Sequence, residues 1–178
     1  MKSGIYRLMV VAMLVFLGGC SEAQNNPGST KQQPTQEELI QANRERLKKE
    51  REEIRKFIKN NKLNMKQTGS GMYYMLLDQP SDTSAQIIEG DRVEYTYIIT
   101  MLDGTPVANS DELGNKAITV GKENAEIGLH EAFVLGYIGC RMVVILPSHL
   151  AHGISQNEYN VPPHTTLLYE LKPLKKIN

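Results

Sequence analysis

The sequence is poor in cysteine, in net charge and in long apolar runs, and each shortage excludes a class of protein. Its 2 cysteines are too few for the disulfide framework that stabilises many small secreted domains. The 20 basic residues balance the 20 acidic residues, so we expect no basic surface for nucleic acid. The apolar run Leu8–Leu17 is shorter than the roughly 18 to 20 residues that a membrane-spanning helix needs.

The N-terminus has the features of a secretory signal. Lys2 and Arg7 precede the apolar run, and two glycines follow it before Cys20. Residues Leu17–Cys20 resemble the bacterial lipobox, in which the cysteine is diacylated and becomes the first residue of the mature protein. The resemblance implies a lipoprotein signal peptide over residues 1–19 and a lipid on Cys20. We therefore expect the protein in the cell envelope, anchored by lipid to the outer membrane. The motif does not indicate whether it faces the periplasm or the cell surface.

The other cysteine and the histidines do not predict a chemical centre. If Cys20 carries lipid, Cys140 has no partner within the chain, and the apolar run after it indicates a small buried side chain. His149 and His152 lie three residues apart, but no cysteine or carboxylate spacing supports a metal site. We predict neither a metal nor a cofactor.

A tether and a charged helix are predicted before the main domain. Residues 20–34 are polar and contain two prolines, which favours a flexible tether. A helix is predicted over residues 35–60, because Thr35 and Glu38 have the capping-box form and apolar residues recur at helical spacing. This narrow stripe allows either a helix packed on the domain or serving as a spacer, or a coiled coil through which two chains dimerise. The stripe consists of Ile40, Leu47, Ile54, Phe57 and Ile58.

Residues 61–178 have the pattern of an α+β domain. Short strand-like segments surround one helical stretch, Ile127–Leu135. Strand periodicity is clearest in Arg92–Met101, where alternate residues from Val93 to Ile99 are expected to face one side. Further strands are predicted over residues 72–77, 118–121, 140–146 and 166–171. Several antiparallel strands and one short helix predict a sheet whose face the helix covers.

The order of motifs in this domain resembles the FKBP-type peptidyl-prolyl cis-trans isomerases. The resemblance begins at Gly90–Asp91, and its most specific part is the loop from Ala151–Gly153 to Val161–His164. In that family such a loop is a flap over the active site, so residues 153–160 are here called the predicted flap. The lipobox, the charged helix and Ser110–Gly114 are similar to gliding-motility-associated isomerase-like lipoproteins of Bacteroidetes. The resemblance implies an FKBP-like antiparallel β-sheet wrapped on one short helix and preceded by the charged N-terminal helix.

The lack of an evident acid, base or nucleophile is compatible with isomerisation of an X-Pro bond. Rotation breaks the amide resonance across a barrier of about 20 kcal/mol, but it makes no covalent bond. Because a planar amide is more charge-separated than its twisted transition state, a dry apolar pocket favours the twisted form. Such a pocket needs apolar and aromatic walls, with one or two donors that position the peptide carbonyls.

The resemblance also implies which residues form the pocket. Tyr97 and Tyr169 match wall aromatics, although strand tyrosines are often plain core residues. Leu129 matches the floor, and His152 replaces a rim tyrosine whose donor role a neutral imidazole can take over. The catalytic residues are predicted to be Tyr97, Leu129, His152 and Tyr169, and the substrate-binding residues Val107, Ala108, Glu126 and Val161.

Besides His152, three of these positions depart from the family pattern. Val107 replaces a wall phenylalanine, which widens the site, and Ala108 replaces an aspartate that polarises the pocket. Glu126 stands where an isoleucine normally presents its backbone N–H to the substrate, so its side chain is expected to alter the rim.

Two functions therefore compete. One is an isomerase, tethered as a lipoprotein, that acts on X-Pro bonds in proline-containing segments of exported or envelope proteins. The alternative is an FKBP-like chaperone or peptide-binding module with weak or no catalysis, in a gliding-motility or secretion apparatus. The replaced aspartate and phenylalanine favour the alternative, whereas catalysis by desolvation tolerates changes in the walls and favours the isomerase.

Overall fold

The computed structural model of the protein describes residues 34–122, 125–151, 159 and 161–177. Its helices are α1 (Gln36–Asn60), α2 (Ser110–Leu113) and α3 (Ile127–Val134). Its strands are β1 (Lys66–Gln67), β2 (Tyr73–Leu76), β3 (Arg92–Met101), β4 (Pro106–Asn109), β5 (Lys116–Thr119), β6 (Met142–Leu146) and β7 (Leu167–Lys176). No helix in the part of the chain that the structure describes is long and apolar enough to cross a membrane.

The strands named above form one antiparallel sheet. The strand order is β1-β2-β6-β7-β3-β4, and β5 pairs with the half of β3 that β4 leaves open. Strands β3 and β7 form the long central pair, with Val93 opposite Lys176 at one end and Met101 opposite Leu167 at the other. The predicted α+β class with an antiparallel sheet is confirmed.

The main core lies on the face of the sheet that α3 covers. Every second residue of β3 from Val93 to Ile99 is buried, as the alternating pattern predicts. Helix α3 adds Leu129, Ala132 and Phe133 to the same cluster. The Phe133 ring meets the Tyr95 ring edge-on with centroids 4.8 Å apart. Burying a large apolar side chain of this kind contributes about 1.5–3 kcal/mol.

Helix α1 packs on the opposite face of the sheet. Ile54 is fully buried against Tyr73 and Ile145, which are cross-strand partners on β2 and β6. Because side chains alternate along a strand, this face is distinct from the one that α3 covers. Phe57 adds to the contact, so the packed helix is the arrangement found and not the spacer. From Ile40 onward, α1 and the sheet belong to one compact unit.

The capping box predicted at the start of α1 is confirmed. The Glu38 backbone N–H donates to Thr35 Oγ1 at 3.3 Å, and the Thr35 N–H donates to Glu38 Oε2 at 2.8 Å. Both bonds satisfy amides that a helix N-terminus leaves without an intrahelical partner.

The largest differences from the sequence-based elements are at β7 and α2. Strand β7 continues past residue 171 to Lys176, because Pro173 lies where the pairing with β3 shifts register and needs no donor there. The Pro173 carbonyl accepts from the Gly139 N–H at 2.8 Å, which ties this part of β7 to the loop before β6. The short helix α2 was not predicted as a helix, and Asn109 caps it by accepting from the Glu112 N–H. Cys140 is buried, as predicted.

Candidate active site

The structure places most of the predicted pocket residues in the main core, the buried cluster between the sheet and α3. Tyr97, Leu129 and Tyr169 are each at most 3% exposed and share this cluster with Ala108 and Val161. Val107 is half-buried and packs against it. His152, Cys20 and most of the predicted flap lie outside the described residues.

Strand register explains why the two tyrosines lie together. Tyr97 on β3 stands opposite Leu171, and Tyr169 on β7 stands opposite Ile99. The tyrosines are therefore diagonal neighbours on one face of an antiparallel pair, where aromatic side chains can reach each other. The Tyr95 ring lies next to the Tyr97 ring, with centroids 6.0 Å apart, and also contacts Phe133 on α3.

The start of α3 is held close to β6 by Gly128. A methyl group added at Gly128 would lie 2.5 Å from Leu146 Cδ2, which is closer than carbon atoms pack. The Gly128 N–H also donates to the Leu150 carbonyl at 3.1 Å. This close contact sets the depth of the next residue, Leu129, which is the predicted floor.

Glu126 does not shape the rim as the sequence suggested. It is 8% exposed, and its carboxylate Oε1 accepts a hydrogen bond of 3.0 Å from the Tyr169 hydroxyl. Glu126 is the N-cap residue of α3, yet its side chain makes no capping bond. Its carboxylate is instead joined to the wall tyrosine, so the polar group lies among the apolar residues of the site.

The same hydrogen bond affects the ionisation of Tyr169. Burial raises the pKa of the Tyr169 hydroxyl well above its usual value near 10, and the negative charge and hydrogen bond of Glu126 raise it further. The hydroxyl therefore stays protonated and acts as a donor at neutral pH.

Lys116 is a site residue that the sequence did not indicate. Its Nζ lies 5.2 Å from the centroid of the Tyr97 ring and 5.3 Å from that of Tyr159. It also donates to the Tyr159 hydroxyl at 3.0 Å. This geometry is a cation–π contact on both rings. The pairing of β5 with β3 sets Lys116 opposite Tyr95. The strand predicted from the sequence began only at residue 118, so it did not include Lys116.

These residues form a mostly apolar, aromatic-walled region at one face of the sheet, with one buried carboxylate and one ammonium group. A family model for FKBP-type peptidyl-prolyl cis-trans isomerase matches residues 83–173, about half of the chain. The chain belongs to this family.

Individual relatives agree with this assignment. Human peptidyl-prolyl cis-trans isomerase FKBP10 is 35% identical over 98 residues, which cover 54% of this chain and 17% of that protein. Mouse peptidyl-prolyl cis-trans isomerase FKBP9 is 27% identical over 101 residues, 56% of this chain and 18% of that protein. The chain thus spans less than a fifth of the length of these curated relatives.

Solved structures confirm the FKBP-like fold. The crystal structure of AtFKBP13 has a TM-score of 0.57 at 15% identity and covers 64% of this chain and 99% of its own. The crystal structure of FkpA from Escherichia coli has the same TM-score of 0.57 at 16% identity, and the match covers 99% of this chain and 83% of FkpA.

Proposed function

We propose that this chain is a peptidyl-prolyl cis-trans isomerase that acts on X-Pro bonds of exported or envelope proteins. The observation that carries the proposal is that Tyr97, Leu129, Val161 and Tyr169 lie together in the main core of a chain of the FKBP family. We also propose that lipid on Cys20 tethers the protein to the envelope membrane, as in the gliding-motility-associated lipoproteins to which its lipobox, charged helix and Ser110–Gly114 are similar.

The proposed mechanism relies on desolvation and positioning. The proline ring of the substrate packs on Leu129 between the two tyrosines. In that environment the twisted amide, which carries less separated charge than the planar one, gains relative to the ground state. The backbone N–H of Glu126 and the His152 side chain are the proposed donors to the peptide carbonyls. No proton transfer or covalent intermediate is required.

The test is the cis/trans interconversion rate of short X-Pro peptides in the presence of the full chain. Tyr97→Ala and Leu129→Ala are expected to abolish the acceleration seen with the wild type. Leu113→Ala, which truncates a side chain that is 57% exposed, is the control and should leave the rate unchanged. Truncating a buried leucine costs about 2–5 kcal/mol, so circular dichroism must show that each variant is folded at the assay temperature.

A peptide-binding module or chaperone is the second candidate. Two observations favour it. Ala108 is buried in the core at the position where the family has an aspartate, and the Glu126 carboxylate accepts a hydrogen bond from Tyr169. A folded wild type that binds X-Pro peptides without accelerating their isomerisation, over a range of residues before the proline, would support this candidate and reject the isomerase.

A further inference from the structure

Glu50 of α1 is a buried carboxylate far along the chain from the rest of the site. It is 8% exposed and lies one helical turn before Ile54, the residue that anchors α1 on the sheet. Burying a carboxylate costs several kcal/mol unless it is hydrogen-bonded. Glu50 accepts from the Ser148 N–H at 2.6 Å, from Ser148 Oγ at 3.2 Å and from Thr166 Oγ1 at 2.7 Å.

These donors lie at the two ends of one connection. The β6–β7 pairing ends with Leu146 opposite Leu167. Ser148 follows β6, and Thr166 immediately precedes β7. The chain between them carries Val161 and the predicted flap. Glu50 therefore links both ends of this connection just beyond the last ladder pair.

A continuous set of contacts leads from Glu50 to the floor of the site. Ser148 belongs to a turn in which the Leu150 and Ala151 N–H groups both donate to the Pro147 carbonyl, at 2.8 Å and 3.1 Å. The Leu150 carbonyl in turn accepts from the Gly128 N–H at the start of α3. Fixing Ser148 thus fixes the turn that supports the residues next to Leu129.

We propose that Glu50 is a positioning residue for the peptide site. Through this carboxylate, α1 holds in place the turn that supports the site. The inference rests on the proposed function, since it concerns how peptides are held there. Glu50 acts through its hydrogen bonds to Ser148, in the turn after β6, and to Thr166.

The test compares Glu50→Gln with Glu53→Gln in the full chain. Glu50→Gln keeps the size of the side chain but places an amide group, which is itself a donor, among three donors. Glu53 is exposed on the same helix, so Glu53→Gln is the matched control. We expect Glu50→Gln to speed hydrogen exchange of the Gly128 and Ala151 amides about tenfold relative to the Val120 amide. We also expect the dissociation constant for an Ala-Leu-Pro-Phe peptide to rise about tenfold, without change for Glu53→Gln.

The outcomes separate this inference from the proposed function. If the wild type binds the peptide and Glu50→Gln binds it equally well, the positioning role is rejected. If neither the wild type nor the two variants bind the peptide, the proposed function fails. Unchanged hydrogen exchange of the Gly128 and Ala151 amides in Glu50→Gln rejects the role of Glu50, whatever the result of the binding measurement. Should Glu50→Gln not fold, Thr166→Val removes one of the donors and should give the same exchange pattern to a smaller extent; wild-type exchange in that variant also rejects the inference.

Discussion

The hydrogen bond between Tyr169 and Glu126 explains how a carboxylate is tolerated among apolar residues. A buried carboxylate without a partner is costly, and the Tyr169 hydroxyl, 3.0 Å away, supplies one. The two residues are therefore energetically coupled, and neither should be judged by its own substitution alone.

Tyr169→Phe is expected to lower the free energy of unfolding by about 1–3 kcal/mol, because it leaves Glu126 without this donor. The double variant with Glu126→Leu should regain most of the loss, since removing both partners removes the unmet hydrogen bond. Urea unfolding of the wild type, both single variants and the double variant measures the coupling. A Tyr169→Phe protein as stable as the wild type would contradict the assigned role of the bond.

At this scale the sequence predicted which strand residues are buried better than it predicted single side-chain contacts. The motif order predicts a pocket of Tyr97, Leu129, Val161 and Tyr169, and the structure finds all four in the main core. The sequence could not indicate where the Glu126 side chain points. Its inward orientation depends on a hydrogen bond from Tyr169, which is far along the chain.

The C-terminal half of helix α1 makes the contacts with the sheet. Ile54 is fully buried, whereas Ile40 on the same helix is 45% exposed. Identical truncations at these two positions therefore separate packing on the sheet from helix propensity.

Ile54→Ala is expected to lower the free energy of unfolding by about 2–5 kcal/mol through the lost packing and the cavity left behind. Ile40→Ala should change it by no more than about 0.5 kcal/mol. Thermal and urea unfolding of the two variants test this difference. Equal effects at the two positions would mean that α1 does not pack on the sheet as described.

The ion pair between Asp78 and Arg141 joins the end of β2 to the start of β6. Arg141 Nε and its backbone N–H donate to Asp78 Oδ2, and its second terminal nitrogen lies 2.9 Å from Oδ1. These bonds lower the pKa of Asp78 from 3.8 to about 2. A depressed native pKa contributes stability above the unfolded value, and that stability is lost as the pH falls through the native value.

The stability of the wild type should therefore fall between about pH 4 and pH 2 more steeply than that of Asp78→Asn. Asp82→Asn, at an exposed position on the following loop, is the control and should keep the wild-type slope. Urea unfolding at several pH values in this range gives the slopes. Parallel curves for wild type and Asp78→Asn would contradict the contribution of the pair.

Among the elements, those with a strong local pattern were predicted and those set by distant contacts were not. Strand β3 has its predicted bounds because alternation marks it clearly. The sequence did not predict that Glu50 is buried, because most glutamates in a charge-rich helix are exposed to solvent. Its only signal is its place on the stripe between Leu47 and Ile54.

At the scale of the whole molecule, the proposed lipid anchor is directly testable. The lipobox-like Leu17–Cys20 predicts that Cys20→Ala abolishes lipid attachment, so the protein should move from the membrane pellet to the released envelope fraction. Metabolic labelling with a fatty acid and cell fractionation measure this outcome. Retention of the variant on membranes would reject the anchor and leave the family assignment unaffected.

The family match also covers only part of the molecule. Residues 83–173 carry it, whereas α1 and strands β1 and β2 precede them. The contact of α1 with β2 and β6 could not be inferred from the family alone, because it depends on residues outside the matched segment.

The missing side chain of Gly128 also limits how this site can diversify. A methyl group at position 128 would lie 2.5 Å from Leu146 Cδ2 and 3.1 Å from Leu150 Cβ, so alanine there requires the Leu146 side chain to move. A larger residue at position 128 is therefore expected in relatives in which residue 146 is smaller.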